Sequence, residues 1–144
     1  MSDMQHIVCP ACATLNRVPR DKAAGAGRCG RCHSALFTHA PVEVDDDTFD
    51  KHVRGNEIPV VVDFWAPWCG PCRAMAPAYA RAAAELEPQV RLLKLNTEAH
   101  PGVAERFGIR GIPTLIVFRQ GRRVAETSGA MDAGSLMRWV RSHI

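Results

Sequence analysis

Six cysteines in three Cys-x-x-Cys pairs, Cys9/Cys12, Cys29/Cys32 and Cys69/Cys72, are the residues of this chain best able to do chemistry. At that spacing a pair can close to a disulfide or supply half of a four-thiolate metal site. Spacing does not separate the two uses, so the flanking residues must. Around the third pair, "VVVDFWAPWCGPCRAMAP" runs from a continuous apolar segment into an alanine-rich one. Cys69 is therefore expected where a buried strand gives way to a helix, its sulfur beside unpaired backbone N–H groups at the positive end of the helix dipole. A thiolate is stabilised there: the ordinary cysteine pKa of about 8.5 can fall to about 7. Cys72 lies one helical turn deeper, within disulfide reach of Cys69. Gly70 permits close backbone approach, and Pro71 suits a first helical turn, where no N–H is needed. No second pair lies near, which argues against a metal half-site.

The other two pairs have different neighbours. Cys12 and Cys29 are separated by sixteen residues, the spacing of a four-cysteine zinc site. Neither pair follows an apolar strand, and each sits in a polar, loop-like context. Before residue 40 the sizeable apolar residues are Ile7, Val8, Leu15, Val18, Leu36 and Phe37, with a "KAAGAG" stretch lacking apolar periodicity. That is too little for an independent core, so a staple is needed. One structural Zn²⁺ held by Cys9, Cys12, Cys29 and Cys32 would supply it, with two redox disulfides or another metal as the alternatives. His6 and His33 flank the pairs and either could replace a cysteine as ligand, but they are expected to be exposed bystanders.

The elements that must position the third pair lie after residue 40. "APVEV" opens a strand, and "DDDTFDKHVRG" reads as a capped helix ending at Gly55. "IPVVVDFWA" has the continuous apolar character of a strand covered on both faces. A helix follows from Cys69 to about Leu86, with Pro77 inside it and Pro88 just beyond. "VRLLKLN" is a strand, "HPGVAERFG" a short helix, and "TLIVFRQGRRVAETSG" two strands around a Gln120-Gly121 turn. "DAGSLMRWVRSHI" closes the chain as a helix burying Leu136, Val140 and Trp139. Alternating strands and helices with a terminal hairpin imply an α/β layer fold around a mixed sheet. Residues 1–40 are expected to form a ribbon and residues 41–144 a domain with its own core.

"VDFWAPWCGPC", "GIRGIPT" and the spacing between them resemble the thioredoxin family over residues 41–144. The N-terminal cysteine quartet extends the likeness to the bacterial thioredoxin-2 type, in which a zinc ribbon precedes the thioredoxin domain. The resemblance implies a thioredoxin fold and a thiol–disulfide oxidoreductase that reduces protein disulfides, recycled by an NADPH-dependent thioredoxin reductase, with no organic cofactor bound directly. It makes Cys69 the attacking nucleophile and Cys72 the resolving thiol. Asp63 matches a buried carboxylate, with a raised pKa suited to accepting the Cys72 proton through a water, and Lys94 a lysine near it. Pro113 matches a cis-proline that lays the backbone of Ile112 or Thr114 beside the disulfide, and Gly129 lies in a substrate-facing loop. Trp68 offers an exposed platform beside the nucleophile, with Gly70 and Pro71 completing the surface, while Trp65 packs beneath the active-site loop.

Bulk properties limit the alternatives. With 144 residues, 47% hydrophobic and 23% charged, the chain has room for one ordinary domain plus a small appendage. The net charge is +3, and residues 1–40 carry five basic against two acidic groups. No like-charge run and no interleaved aromatics accompany them, so a solvated surface is expected rather than a nucleic-acid footprint. The start "MSDMQHIVCPAC" has neither a basic nor an apolar leader segment, and "IPVVVDFWAPW" is too short for a bilayer and carries Asp63. A cytoplasmic monomer without membrane contact is the expectation. An oxidant or isomerase on the same fold is the rival activity, against which Gly70-Pro71 between the cysteines argues. A ribbon that binds nucleic acid or a partner protein is the rival of another class.

Overall fold

The computed structural model describes residues 3–20 and 26–144; most of the "KAAGAG" stretch lies outside them. Seven strands and four helices are present among the described residues. Two strands missed in the sequence, β1 (Met4–Val8) and β2 (Leu15–Pro19), pair as an antiparallel hairpin. The rest follow the expected order: β3 (Val42–Val44), α1 (Asp46–Gly55), β4 (Val60–Trp65), α2 (Gly70–Leu86), β5 (Arg91–Asn96), α3 (Pro101–Arg106), β6 (Thr114–Arg119), β7 (Arg122–Ser128) and α4 (Ala133–Arg141). A five-stranded sheet runs β3-β5-β4-β6-β7, with β3, β5 and β4 parallel and β6 and β7 antiparallel to their neighbours. This is the mixed α/β thioredoxin fold.

Helices cover both faces, as the unbroken apolar run of β4 requires. On one face Val61, Leu115 and Val117 pack against Met75, Tyr79 and Ala83 of α2 and Leu136 and Val140 of α4. On the other, Val60, Val62, Phe64, Leu93 and Leu95 meet Phe49 and Val53 of α1 and Val103 of α3. Phe49, Phe64, Phe107 and Phe118 join there in tilted and edge-on ring contacts with centroids 5.3–6.3 Å apart. Asp45 caps α1 by accepting the Thr48 N–H at 2.8 Å. Trp139, expected in the core, is half-buried and lies against His143.

The ribbon seats on the catalytic fold through a small shared core. Ile7, Val18, Leu36 and Phe37 cluster with Ile58, the residue two before β4. Gly55 is needed for contact rather than for a turn: a Cβ there would lie 2.7 Å from the Val8 methyl. The Val8 N–H donates to Asn56 Oδ1 at 2.8 Å, and Asn56 Nδ2 lies 3.0 Å from the ring of His52, whose pKa burial lowers to about 3. Arg91, 0% exposed, is the centre of this seat. Its guanidinium donates to Glu87 at 3.0 Å and to the carbonyls of Val8 and Leu36 at 2.9 and 2.8 Å, and lies over the Phe37 ring. Arg91 and Ile58 stand where β5 and β4 begin, whereas Cys69 comes after the end of β4, so this seat and the third cysteine pair lie at opposite strand ends.

Candidate active site and metal centre

Cys69 is the N-cap of α2, and Pro71 occupies its first turn. The Cys72 N–H points at Cys69 Sγ, 3.2 Å away, and the two sulfurs form a disulfide with a Cα–Cα distance of 5.3 Å. An N–H aimed at a sulfur from a helix N-terminus stabilises negative charge on it once the disulfide opens. Cys69 and Cys72 are nearly buried, while Trp68 beside them is 68% exposed. A Cβ added at Gly70 would meet nothing within 4 Å, so the surface beside the disulfide is open to an approaching chain. Trp65 packs with Ala66, Cys69 and Cys72 beneath that loop, as expected.

Asp63 lies on the α2 face of β4, 1% exposed, and neither carboxylate oxygen has a hydrogen-bond partner among the described residues. Burial raises its pKa to about 7; Lys94 opposes the rise and Glu43 adds to it. A carboxyl that titrates near neutrality can take a proton and return it. Lys94 stands next to Asp63 in the β4–β5 register, its ammonium 4.3 Å from the centre of the Trp65 ring. Tyr79, which sequence reasoning passed over, anchors α2 beside them by donating to the carbonyls of Leu93 at 2.7 Å and Val61 at 3.2 Å.

The second loop reaches the disulfide from β6. Ile112–Pro113 is cis, and the Ile112 carbonyl oxygen lies 3.8 Å from Cys69 Sγ. Gly129, at φ +100°, donates its N–H to the Pro113 carbonyl at 2.9 Å. A left-handed backbone of this kind is natural only to glycine. Thr114 is buried and shares a 2.9 Å hydrogen bond with Ser128. All the residues singled out for this site, Asp63, Trp68, Cys69, Gly70, Pro71, Cys72, Lys94, Ile112, Pro113, Thr114 and Gly129, thus stand on neighbouring parts of the α2 N-terminus, β4, β5 and the ends of β6 and β7.

The remaining cysteines converge elsewhere. The sulfurs of Cys9, Cys12, Cys29 and Cys32 lie within 4.8 Å of one another, and Cys9–Cys32 and Cys12–Cys29 are each 3.6 Å apart. Four thiolates at about 2.3 Å from a tetrahedral Zn²⁺ sit about 3.8 Å apart, so the donor set and its spacing fit that metal. Backbone N–H groups of Ala11 and Arg31 point at Cys9 and Cys29 Sγ at 3.3 and 3.4 Å and would neutralise part of the thiolate charge. The histidines stand aside: His6 Nδ1 lies 3.1 Å from Glu57 Oε1 and His33 is exposed.

Comparison with known proteins agrees with both sites. The family model described as "Thioredoxin" matches residues 40–142, and "Thioredoxin 2, N-terminal", a zinc-ribbon model, matches residues 8–34. The chain belongs to the thioredoxin family. Thioredoxin C-3 of Corynebacterium nephridii is 40% identical over 134 residues, covering 93% of this chain and 92% of that protein. At most ten residues stay unmatched, so the likeness extends into the ribbon. Thioredoxin 1 of Nostoc (42% over 105 residues, 73% of this chain and 98% of that one) and of Synechococcus elongatus (46% over 101 residues, 70% and 94%) match a shorter portion. Family and paired thiols together make this a thiol–disulfide oxidoreductase of the disulfide-reductase kind. Among the described residues, no helix is long and apolar enough to cross a membrane.

Proposed function

We propose that the protein is a cytoplasmic, monomeric reductase of protein disulfides, built as a zinc ribbon (residues 1–40) and a thioredoxin domain (residues 41–144). The observation that carries this reading is the Cys72 N–H directed at Cys69 Sγ from the start of α2, beside the Ile112 carbonyl. In the reduced protein the Cys69 thiolate attacks one sulfur of a substrate disulfide, forming a mixed disulfide and releasing the other sulfur as a thiolate. Cys72 then loses its proton to Asp63 through a water, and its thiolate attacks Cys69 Sγ. The Cys69–Cys72 disulfide forms, and the second substrate sulfur leaves and takes up a proton. Trp68, Gly70 and Pro71 bear the substrate chain, and the backbone of Ile112, Thr114 and Gly129 at Pro113 offers it main-chain hydrogen bonds. Lys94 moderates the charge on Asp63. A thioredoxin reductase drawing on NADPH returns the disulfide to the dithiol. Cys9, Cys12, Cys29 and Cys32 would hold one Zn²⁺, which ties the two cysteine knuckles together.

The test is insulin reduction with thioredoxin reductase and NADPH, alongside metal analysis of the same reduced sample. Turnover with about one zinc per chain is expected. Oxidation of dithiol substrates without reductase-coupled turnover would assign the protein to the oxidant class, as would a reduction potential near −120 mV instead of about −270 mV.

A further inference from the structure

The cross-strand register places a third ionisable side chain in line with Asp63 and Lys94. In the β4–β5 ladder Asp63 is opposite Lys94, and in the β3–β5 ladder Lys94 is opposite Glu43. Side chains opposite one another in such ladders share a face. Val42 and Val44 belong to the core on the α1/α3 side, so Glu43 projects to the α2 side with Lys94 and Asp63. The three form a carboxylate–ammonium–carboxylate row across three adjacent strands, buried at Asp63 and open at Glu43 on the sheet edge. Glu43 also lines a cleft of about 410 Å³ between the ribbon knuckle at Pro10 and Ala11 and the start of the catalytic fold at Val44, Asp45, His52 and His100.

We infer that Glu43 is a positioning residue for the catalytic carboxyl: it shares the Lys94 ammonium with Asp63 and so sets how readily Asp63 takes the Cys72 proton. The inference deepens the disulfide-reductase reading and rests on the Asp63 role proposed there. With one cation between two carboxylates, each anion reduces the stabilisation the other receives. The effect is consistent with Glu43 raising the Asp63 pKa while Lys94 lowers it, and with burial raising that of Glu43 against the opposing pull of Lys94. The other titratable groups facing the row are Tyr79 on α2 and His100, which faces Glu43 from the loop after β5; the Cys69/Cys72 pair packs against Trp65, over whose ring the Lys94 ammonium lies. Beside Asp63 on its other flank β6 offers only Leu115.

Removing the outer carboxylate frees the lysine for Asp63. In Glu43→Gln the carbon-13 titration midpoint of the Asp63 carboxyl should move down from about 7 by about half a pH unit, two strand spacings being roughly 10 Å. The acid limb of mixed-disulfide resolution should move down with it, making resolution at pH 6 roughly twofold faster. Glu43→Asp keeps the charge and should return both curves toward wild type. Curves for Glu43→Gln that superimpose on wild type, or that move upward, overturn the inference, as does a shift that Glu43→Asp fails to reverse. If the wild-type protein shows no reductase turnover while the Asp63 midpoint still shifts, the functional reading fails and the electrostatic one stands.

Discussion

The catalytic pair and the ribbon pairs share more than their spacing. In all three the N–H four residues after the first cysteine returns to that cysteine's carbonyl: Ala13 to Cys9 and His33 to Cys29 at 2.9 Å, and Arg73 to Cys69 at 3.1 Å. An N–H also points at the first sulfur in each, from Cys12 (3.5 Å), Arg31 (3.4 Å) and Cys72 (3.2 Å). The paths divide at the next step. Ala13 and His33 turn left-handed, at φ 61° and 66°, and end the turn as a knuckle, whereas after Cys72 the backbone continues as α2. One local turn, made by all three, prepares a sulfur for negative charge. The backbone path beyond that turn decides whether the charge faces three more sulfurs, a donor set that could hold a metal, or an open surface beside a disulfide.

The sharpest way to break this comparison is to exchange sulfur for oxygen in each setting. Cys69→Ser should reduce insulin turnover to the rate of a protein-free control, and Cys72→Ser should accumulate mixed disulfides visible on non-reducing gels. Cys12→Ser should lose zinc to a colorimetric chelator yet keep reductase turnover. Multiple turnovers by Cys72→Ser, or an inactive Cys12→Ser protein that is still folded, would show that the division of labour is wrongly drawn.

A second effect tests the carboxyl that only the catalytic pair possesses. Asp63 has a folded pKa of about 7 against 3.8 for the free side chain, so the folded state holds its proton more tightly than the unfolded one. Between those values stability falls as pH rises, and above pH 7 the full deficit of up to about 4 kcal/mol is present. Asp63→Asn should therefore stabilise the protein by a few kcal/mol at pH 8 and by little at pH 4, read by urea unfolding at both. It should also slow resolution of the mixed disulfide more than its formation. Equal gains at the two pH values would remove the case for a desolvated carboxylate.

The smallest expected effect concerns the seat of the ribbon. Gly55→Ala places a methyl against Val8, next to Cys9 of the cysteine cluster, while improving the intrinsic helix propensity of α1. A net loss of about 1 kcal/mol is expected, together with faster zinc release to a chelator. Unchanged release would mean that the Val8 contact does not support the knuckle.

The catalytic half was largely legible because its signals are local: an apolar run, a capped acidic helix start, Gly-Pro between two cysteines and a Gln120-Gly121 turn, both of whose residues have positive φ. The roles proposed for Asp63, Lys94 and Pro113 came from family resemblance; of the three, Asp63 is also marked by its neighbours, as a carboxylate interrupting a buried apolar run. The β1–β2 hairpin was missed because "LNRVP" is a poor strand by composition, with Asn16 and Pro19; its register is held by the knuckle it joins and by the domain beneath. Glu43 and Arg91 stand in the strand segments "APVEV" and "VRLLKLN" with no local signal of a role. Their meaning depends on which strand lies next to β5 and on what covers its first residue, and both facts are tertiary.

Arg91 also defines what could be exchanged between proteins of this architecture. A thioredoxin domain cut from this chain before residue 41 would inherit a cation designed for three acceptors and keep one, Glu87. Transplanted to a foreign domain, the ribbon would arrive with the Val8 and Leu36 carbonyls lacking their donor. A working graft must carry the arginine across with the ribbon, whereas a truncation uncovers it to water, which can take the place of the two lost carbonyls. The heritable unit is thus discontinuous: an N-terminal segment together with Gly55, Asn56, Ile58 and Arg91 far downstream, on which it seats.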